Sequence, residues 1–265
     1  RLTAKDGKEY VMRSLKKSPE LYLQSMAFKD QFIMDDLEDT YTQELLQDFY
    51  TGAHPFAPFT TAVMSDAVGL YHTNPLLYYV PKQPALENYN VSFGDELYMI
   101  EEHAGDGHGN LSSFGYSNTL ISTDKMLENL RDDEKYEVDT ELYLKARLFD
   151  MVIGDWDRHV DQWRWAEFEK KGKIIYRPVP RDRDQVFSNM GDGLLMNIST
   201  RIIPSLQLME GFNEEIRNVR GFNSSPKTYV LDLSLLGETT KEQWRSQAEY
   251  LQNHLSAEVI DEALK

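Results

Sequence analysis

With 265 residues, 41% hydrophobic and 12% aromatic, the chain is long enough to bury a sizeable core and has the composition of a globular protein. Its formal net charge of −16 disfavours a nucleic-acid partner and an anionic membrane surface, both of which draw on Lys and Arg to meet phosphates, but not a nucleotide, whose phosphates metal ions can bring against an acidic pocket. The lack of Cys excludes disulfides and thiolate metal sites, and no apolar run approaches the roughly 18 residues that span a bilayer, so no direct membrane span is expected.

The sequence opens at Arg1 without an initiator Met or a signal-like segment and reads as a piece of something longer. RLTAKDGKEYVMRSL alternates on either side of Asp6-Gly7, a pair suited to a tight type I′ turn, and predicts a hairpin. After Ser18-Pro19, one or two helices are expected over Leu21 to Tyr50, with Leu37, Tyr41, Leu45 and Phe49 near helical spacing, until Gly52 and Pro55 stop them. A short helix over Thr60 to Gly69 and strands in LLYYVPK and ELYMIEE follow. Residues 103 to 118, HAGDGHGNLSSFGYSN, read as a flexible connection, so the expected parts are 1–102, strand-rich, and 103–265, mostly helical. The second part is expected to hold helices over Thr123 to Leu130 and Thr140 to Val152, a strand pair WRWAEF and KIIYRPV joined at Lys171-Gly172, and a helical C-terminus from Thr240 to Lys265. The class is α+β.

Two segments carry the chemistry. GDWDRHVDQW places Asp155, Asp157 and Asp161 beside Arg158 and His159 directly after an apolar helix, where a loop can hold a carboxylate against a substrate hydroxyl. A solvated acidic turn over Trp156 and Trp163 accounts for the same residues equally well. PRDRDQVF offers Asp182 and Asp184 at i and i+2, on one side of an extended segment and about 6.6 Å apart by strand rise. Two such carboxylates repel by about 2.5 kcal/mol at an effective dielectric near 20, which a metal ion or an Arg relieves. Hard oxygen ligands suit Mg²⁺ or Mn²⁺; a bridge to Arg181 or Arg183 is the alternative without metal.

In this order the two segments resemble those of the protein-kinase-like superfamily, in its atypical branch. DRHVDQ is similar to the D-R-H-x-D-N loop of phosphoinositide-type lipid kinases and IGDWDRH to the I-G-N-x-D-R-H loop of secretory-pathway kinases. DRDQVF stands where those families carry a D-F-G-like metal motif, in a D-x-D-x-x-F form that resembles spore-coat CotH kinases. The resemblance implies a two-lobed protein-kinase-like fold, with a strand-rich N-lobe truncated at its start and a mostly helical C-lobe. It also implies ATP with Mg²⁺ or Mn²⁺ as cofactors. By the same matching Asp157 is the catalytic carboxylate, Gln162 and Asp182 take the places of the metal-binding Asn and Asp, and Asp184 adds a ligand or caps the following turn. The strand EYVMRSL resembles the one that carries a phosphate-contacting Lys, with Arg13 in its place and Lys16 and Lys17 nearby. Glu44 or Asp48, one turn apart in QELLQDFYTGAHP, is then the carboxylate paired with it, and ELYMIEEHAGD the hinge, with Glu101 or Glu102 meeting the ribose.

The function this implies is transfer of the γ-phosphoryl of ATP to a hydroxyl of a protein, lipid or glycan. Arg13 for Lys, Gln162 for Asn and the lack of a Gly-rich phosphate-covering loop suit a pseudokinase or regulatory module instead. A metal-dependent phosphohydrolase is a third reading, disfavoured by the few His. His54, His72, His103 and His108 are read as loop or core histidines. The stretch ARLFDMVIGDWDRHVDQWRW followed by PRDRDQVF also resembles an uncharacterised domain of large Bacteroidetes proteins, found beside metallophosphoesterase and outer-membrane barrel domains. That resemblance implies the periplasm or outer membrane of a Gram-negative bacterium, and other domains of the same parent protein as partners.

Overall fold

The computed structural model describes residues 1–16, 52–189, 194–203, 207, 211–217, 219 and 226–265. The helices expected over 21–50, and with them Glu44 and Asp48, lie outside the described residues, as does Lys17.

The chain begins with the hairpin, β1 (Leu2–Thr3) antiparallel to β2 (Glu9–Ser14). Its turn is not type I′: that form needs a positive φ at both central residues, and of the Asp6-Gly7 pair only Gly7 has one, +85°. Gly7 N–H instead donates to Ala4 C=O at 3.0 Å, giving a longer connection that spares Asp6 the left-handed region. Helix α1 (Ala57–Ala67) follows, with Pro58 in its first turn, where no N–H is missed. Strands β3 (Leu76–Val80) and β4 (Glu96–Glu102) then complete an antiparallel sheet of order β1-β2-β4-β3, with Arg13 opposite Met99 and Tyr10 opposite Glu102.

The second sheet is built from β5 (Leu120–Ser122), β6 (Tyr136–Val138), β7 (Trp163–Lys170) and β8 (Lys173–Pro180) in the order β5-β7-β8-β6, with β6 parallel to β8 and the other pairs antiparallel. The hairpin β7–β8 turns at the expected pair, Lys171 at φ +52° and Gly172 at +81°. Between the strands lie α2 (Thr123–Asp132) and α3 (Thr140–Val152); α4 (Leu194–Ile202), α5 (Pro226–Leu236), α6 (Lys241–His254) and α7 (Ala257–Ala263) follow. The caps are local and legible: Ser122 accepts from Lys125 N–H, Asp139 from Leu142 N–H, and Thr240 with Gln243 forms a full capping box, each worth about 1 kcal/mol. Ser256 caps α7 in the same way, which splits the C-terminal helix into two. None of the described helices is long and apolar enough to cross a membrane.

The main core gathers Tyr143, Leu144 and Phe149 of α3 with Trp163 and Trp165 of β7, the two indoles 5.1 and 5.6 Å from the Tyr143 ring. Ala57, Met64 and Val68 bring α1 into this same core, alongside Leu251 and Ala263. The sequence boundary near Glu102 therefore separates the two sheets, while α1 packs with the second one. The connection 103–118 is also more ordered than its glycines suggest, because Phe114 is fully buried with Leu120, Ala166 and Val179, and His108 sits against it. Gly115 makes this packing possible: at φ +62°, a Cβ there would overlap the Tyr71 hydroxyl and crowd Phe168. Gly115→Ala is expected to lower stability by about 1–3 kcal/mol in urea denaturation, and an unchanged midpoint would show that the segment gives way freely.

Candidate functional site

The acidic loop starts where α3 is forced to end. Gly154, at φ +69°, takes the left-handed position; its N–H donates to Met151 C=O (3.3 Å), and Asp155 N–H donates to Asp150 C=O (2.8 Å). This is a Schellman closure, and it turns the chain so that Asp155 points back under the helix while Asp157 stays half-buried at its rim.

Asp155 is therefore structural. Its Oδ2 accepts from Arg158 Nε (3.0 Å), Arg158 Nη2 (2.6 Å) and Arg183 Nη1 (2.7 Å). Burial pushes its carboxyl up, but the Arg158 and Arg183 guanidiniums outweigh burial and hold it below the usual carboxylate value. Asp150, also fully buried, pairs with Arg183 and with Arg147 Nη1 (2.7 Å), and Arg147 Nε continues to Asp232 on α5 (3.0 Å), which accepts from the Tyr143 hydroxyl as well (2.7 Å). Asp232, Arg147, Asp150, Arg183, Asp155 and Arg158 thus form a buried line of alternating charge that sums to zero and fastens α5, α3 and both acidic segments together. Arg183 does not bridge Asp182 or Asp184, the metal-free alternative for PRDRDQVF; it turns inward to Asp150 and Asp155, and Asp182 takes Arg13 instead. The available signals were the i, i+3 pairs Arg147/Asp150 and Asp155/Arg158.

Arg158 also sets the spacing of the two acidic segments. Its Nη1 donates to Gln162 C=O (3.3 Å) and its Nη2 to Asp182 C=O (3.0 Å), while Arg181 N–H donates to Gln162 C=O (2.8 Å). Residues 182–184 do not run extended as expected: Asp182 adopts φ +50°, and the chain turns through 184–187. Asp184 comes close enough to Asp157 for its charge to be felt. Burial raises the Asp157 carboxyl above the usual value; the neighbouring His159 opposes this, and Asp155 and Asp184 add to it.

From the first sheet, Arg13 reaches across to Asp182 Oδ1 and lies 3.5 Å from Glu101 Oε1. Glu101 in turn accepts from the Thr73 hydroxyl at 2.5 Å. Arg13, Thr61, Thr73, Glu101, Arg183 and Asp184 line one cleft. Two expected contacts are already engaged elsewhere. Glu102 is buried and accepts from Asn74 N–H (2.7 Å) and Nδ2 (3.0 Å), so it fixes a loop and does not face a ribose; Lys16 lies out on the sheet edge against Glu96 at 3.3 Å. His72 is buried, held by Thr73 C=O (2.8 Å) and Asp66 (3.0 Å), and lines the same cleft.

Among the described residues no three His, Cys, Asp or Glu side chains gather as a cation cage. A Mg²⁺ carried on nucleotide phosphates needs only one or two carboxylates and some neutral oxygens, and here the residues fit. Gln162 Oε1 and Gln185 Oε1 are buried and have no hydrogen-bond partner, although Gln162 Nε2 meets His159 Nε2 at 3.3 Å. A buried amide oxygen left without a partner costs about 1–3 kcal/mol, and amide oxygens are among the neutral ligands that suit a hard cation. Comparison of the chain with family models, with curated proteins and with solved structures found no match.

Proposed function

We propose that this chain is a metal-dependent phosphotransferase of two-lobed, protein-kinase-like design, with the sheet β1-β2-β4-β3 in one lobe and the sheet β5-β7-β8-β6 in the other, using ATP with Mg²⁺ or Mn²⁺. One observation carries the reading: Arg158 ties the Asp157 loop to the Asp182 loop, and Arg13, which lines the cleft with Arg183 and Asp184, reaches from the first sheet to Asp182; Asp157, Gln162 and Asp182 themselves lie outside the cleft lining. A structural acidic turn has no need to bring a cation from a second sheet onto one of its carboxylates.

In the proposed reaction the acceptor hydroxyl oxygen bonds to the γ-phosphorus as the bond to the β-phosphate oxygen breaks. Asp157 orients that hydroxyl and takes its proton, a role suited to a carboxyl raised toward the working pH. Gln162 and Asp182 hold the cation with Asp184 beside them, and the cation, when bound, offsets phosphate charge. Arg13 moves from Asp182 to the phosphates with its fork matched to two oxygens, and Glu101 steadies it.

The second reading is a nucleotide-binding regulatory module without turnover. What favours it is that Arg13 occupies Asp182, so that ligand must displace an ion pair before the cation can enter. Calorimetry of ATP binding with Mg²⁺ is the test. Binding is expected for the wild-type chain, is abolished by chelation, and is weakened by about 10–100-fold in Asp182→Ala. Equal affinity in the variant removes Asp182 from the metal site. Binding to the wild type without ATP turnover at any acceptor supports the regulatory module.

A further inference from the structure

One margin of the cleft gathers arginines, of which Arg13 is paired with Asp182 and Arg1 with Glu9, while Arg164 has Asp161 close by. The protein carries −16, yet Arg181, directly after the cleft residue Pro180, is half-buried, which weighs most against its charge, and has other arginines for neighbours. Arg164, Arg13 and Arg1 all lie near enough to repel it, and Glu101 is the charge that opposes them. The backbone explains how these residues meet. Trp163 stands opposite Pro180 in the β7–β8 ladder, and Arg181 N–H bonds Gln162 C=O, so Arg164 and Arg181 leave neighbouring strands at the same end. Arg164 Nη1 spends one donor on Trp163 C=O at 2.9 Å. Arg1 arrives from the first sheet, held by Glu9 at 3.4 Å, and Glu9 also meets His103 Nδ1 at 3.3 Å.

Arg181 differs from its neighbour Arg183. Arg183 is buried between Asp150 and Asp155, while among the described residues the half-buried side chain of Arg181 makes no hydrogen bond and no ion pair. Holding a guanidinium among other guanidiniums with no carboxylate of its own is unfavourable, and it is relieved by an anion with several oxygens. Planar forks from two strands, with a third side chain from the other sheet, fit a tetrahedral oxyanion better than a single carboxylate, because phosphate offers an oxygen pair to each fork.

We propose that Arg181 and Arg164, with Arg1 at the rim, form an oxyanion subsite that takes a phosphate group. The phosphate comes from one of two sources: the nucleotide, or an acceptor that already bears a phosphate monoester. The existence of the subsite stands without the phosphotransferase reading; the choice between sources rests on it. The subsite is measured first with inorganic phosphate alone, at low ionic strength and with a chelator present, by calorimetry on the full chain. Wild type is expected to bind, and Arg181→Gln and Arg164→Gln to weaken binding at least tenfold, while Lys170→Gln, exposed at the far end of β7, binds as wild type does. Arg181→Gln removes a repelled charge, so its thermal midpoint is expected to stay or rise.

The variants are then titrated with ATP and Mg²⁺. Unchanged nucleotide affinity in Arg181→Gln places the phosphate on the acceptor; affinity weakened in step with that for inorganic phosphate places it on the nucleotide. Failure of the wild type to bind phosphate, equal phosphate affinity in Arg181→Gln, or a fall in its midpoint overturns the subsite. Absence of metal-dependent ATP binding in the wild type overturns the proposed function and leaves the phosphate result standing.

Discussion

Arg183→Met is expected to cost about 3–5 kcal/mol of folding stability, which at about 2–4 °C per kcal/mol for a chain of this size is a drop in thermal midpoint of roughly 10 °C. The reason is arithmetic of charge in a dry place. Arg183 is the guanidinium that Asp150 and Asp155 share, and both carboxylates are fully buried. Without it the line of six charges holds three carboxylates and two guanidiniums, and the excess anion has no water to turn to. Urea denaturation followed by circular dichroism measures this, with Arg181→Gln two residues away as the comparison. If the two variants unfold alike, the pairing of Arg183 is not what supports the fold. The pH dependence has a definite sign. The Asp155 carboxyl lies below its ordinary 3.8 in the folded state, so its contribution is present at neutral pH and is lost as pH falls through the window below 3.8. Acid unfolding in that window is expected in the wild type.

Asp157→Asn is expected to lower phosphoryl transfer by about 10²–10⁴-fold while leaving ATP affinity nearly unchanged and making the protein more stable at neutral pH. The first effect follows from its place at the loop rim, the second from Asp182 and Arg13 holding the nucleotide in the proposed site. The third follows from linkage. The folded Asp157 carboxyl is raised above 3.8, chiefly by burial, so its ionised form weighs against folding at pH 7, and that cost disappears as pH falls from the raised value toward 3.8. The gain in midpoint from the Asn variant should therefore shrink between neutral pH and about pH 4. Turnover of γ-labelled ATP and thermal melts at several pH values read both effects. A variant that loses activity and is also less stable at pH 7 marks Asp157 as structural.

Much of the fold was legible where a periodic run met a chemically marked end. The apolar run of α3 before the Asp-rich segment located its end at Val152, and the C-terminal helix begins at Thr240 as expected, there as the N-cap of α6. Strands β5 and β6, three residues each, were not legible, since three residues carry no period to separate a strand from a loop. The stretch 103–118 misled because its four glycines lie among polar residues, yet buried Ala104, His108 and Phe114 anchor it. In the site, the two acidic segments stood out in the sequence, but their division of labour did not. Asp155 and Asp157 are two apart in an irregular loop, and only the Schellman turn decides that the first faces inward to Arg158 and Arg183 and the second outward. Glu102 was misread for a related reason. Adjacent residues of β4 face opposite ways, so Glu101 reaches toward Arg13 while Glu102 takes Asn74.

The alternating line from Asp232 to Arg158 has a further meaning for how this protein diverges over time. No member can be altered alone without stranding a neighbour, so a loss of acid is expected to be tolerated best together with the loss of the base beside it. Asp157, free of that bookkeeping, can change in a single step. A descendant of this protein can thus lose the Asp157 carboxylate at once and still keep, through the unaltered line of charge, the scaffold that holds its loop.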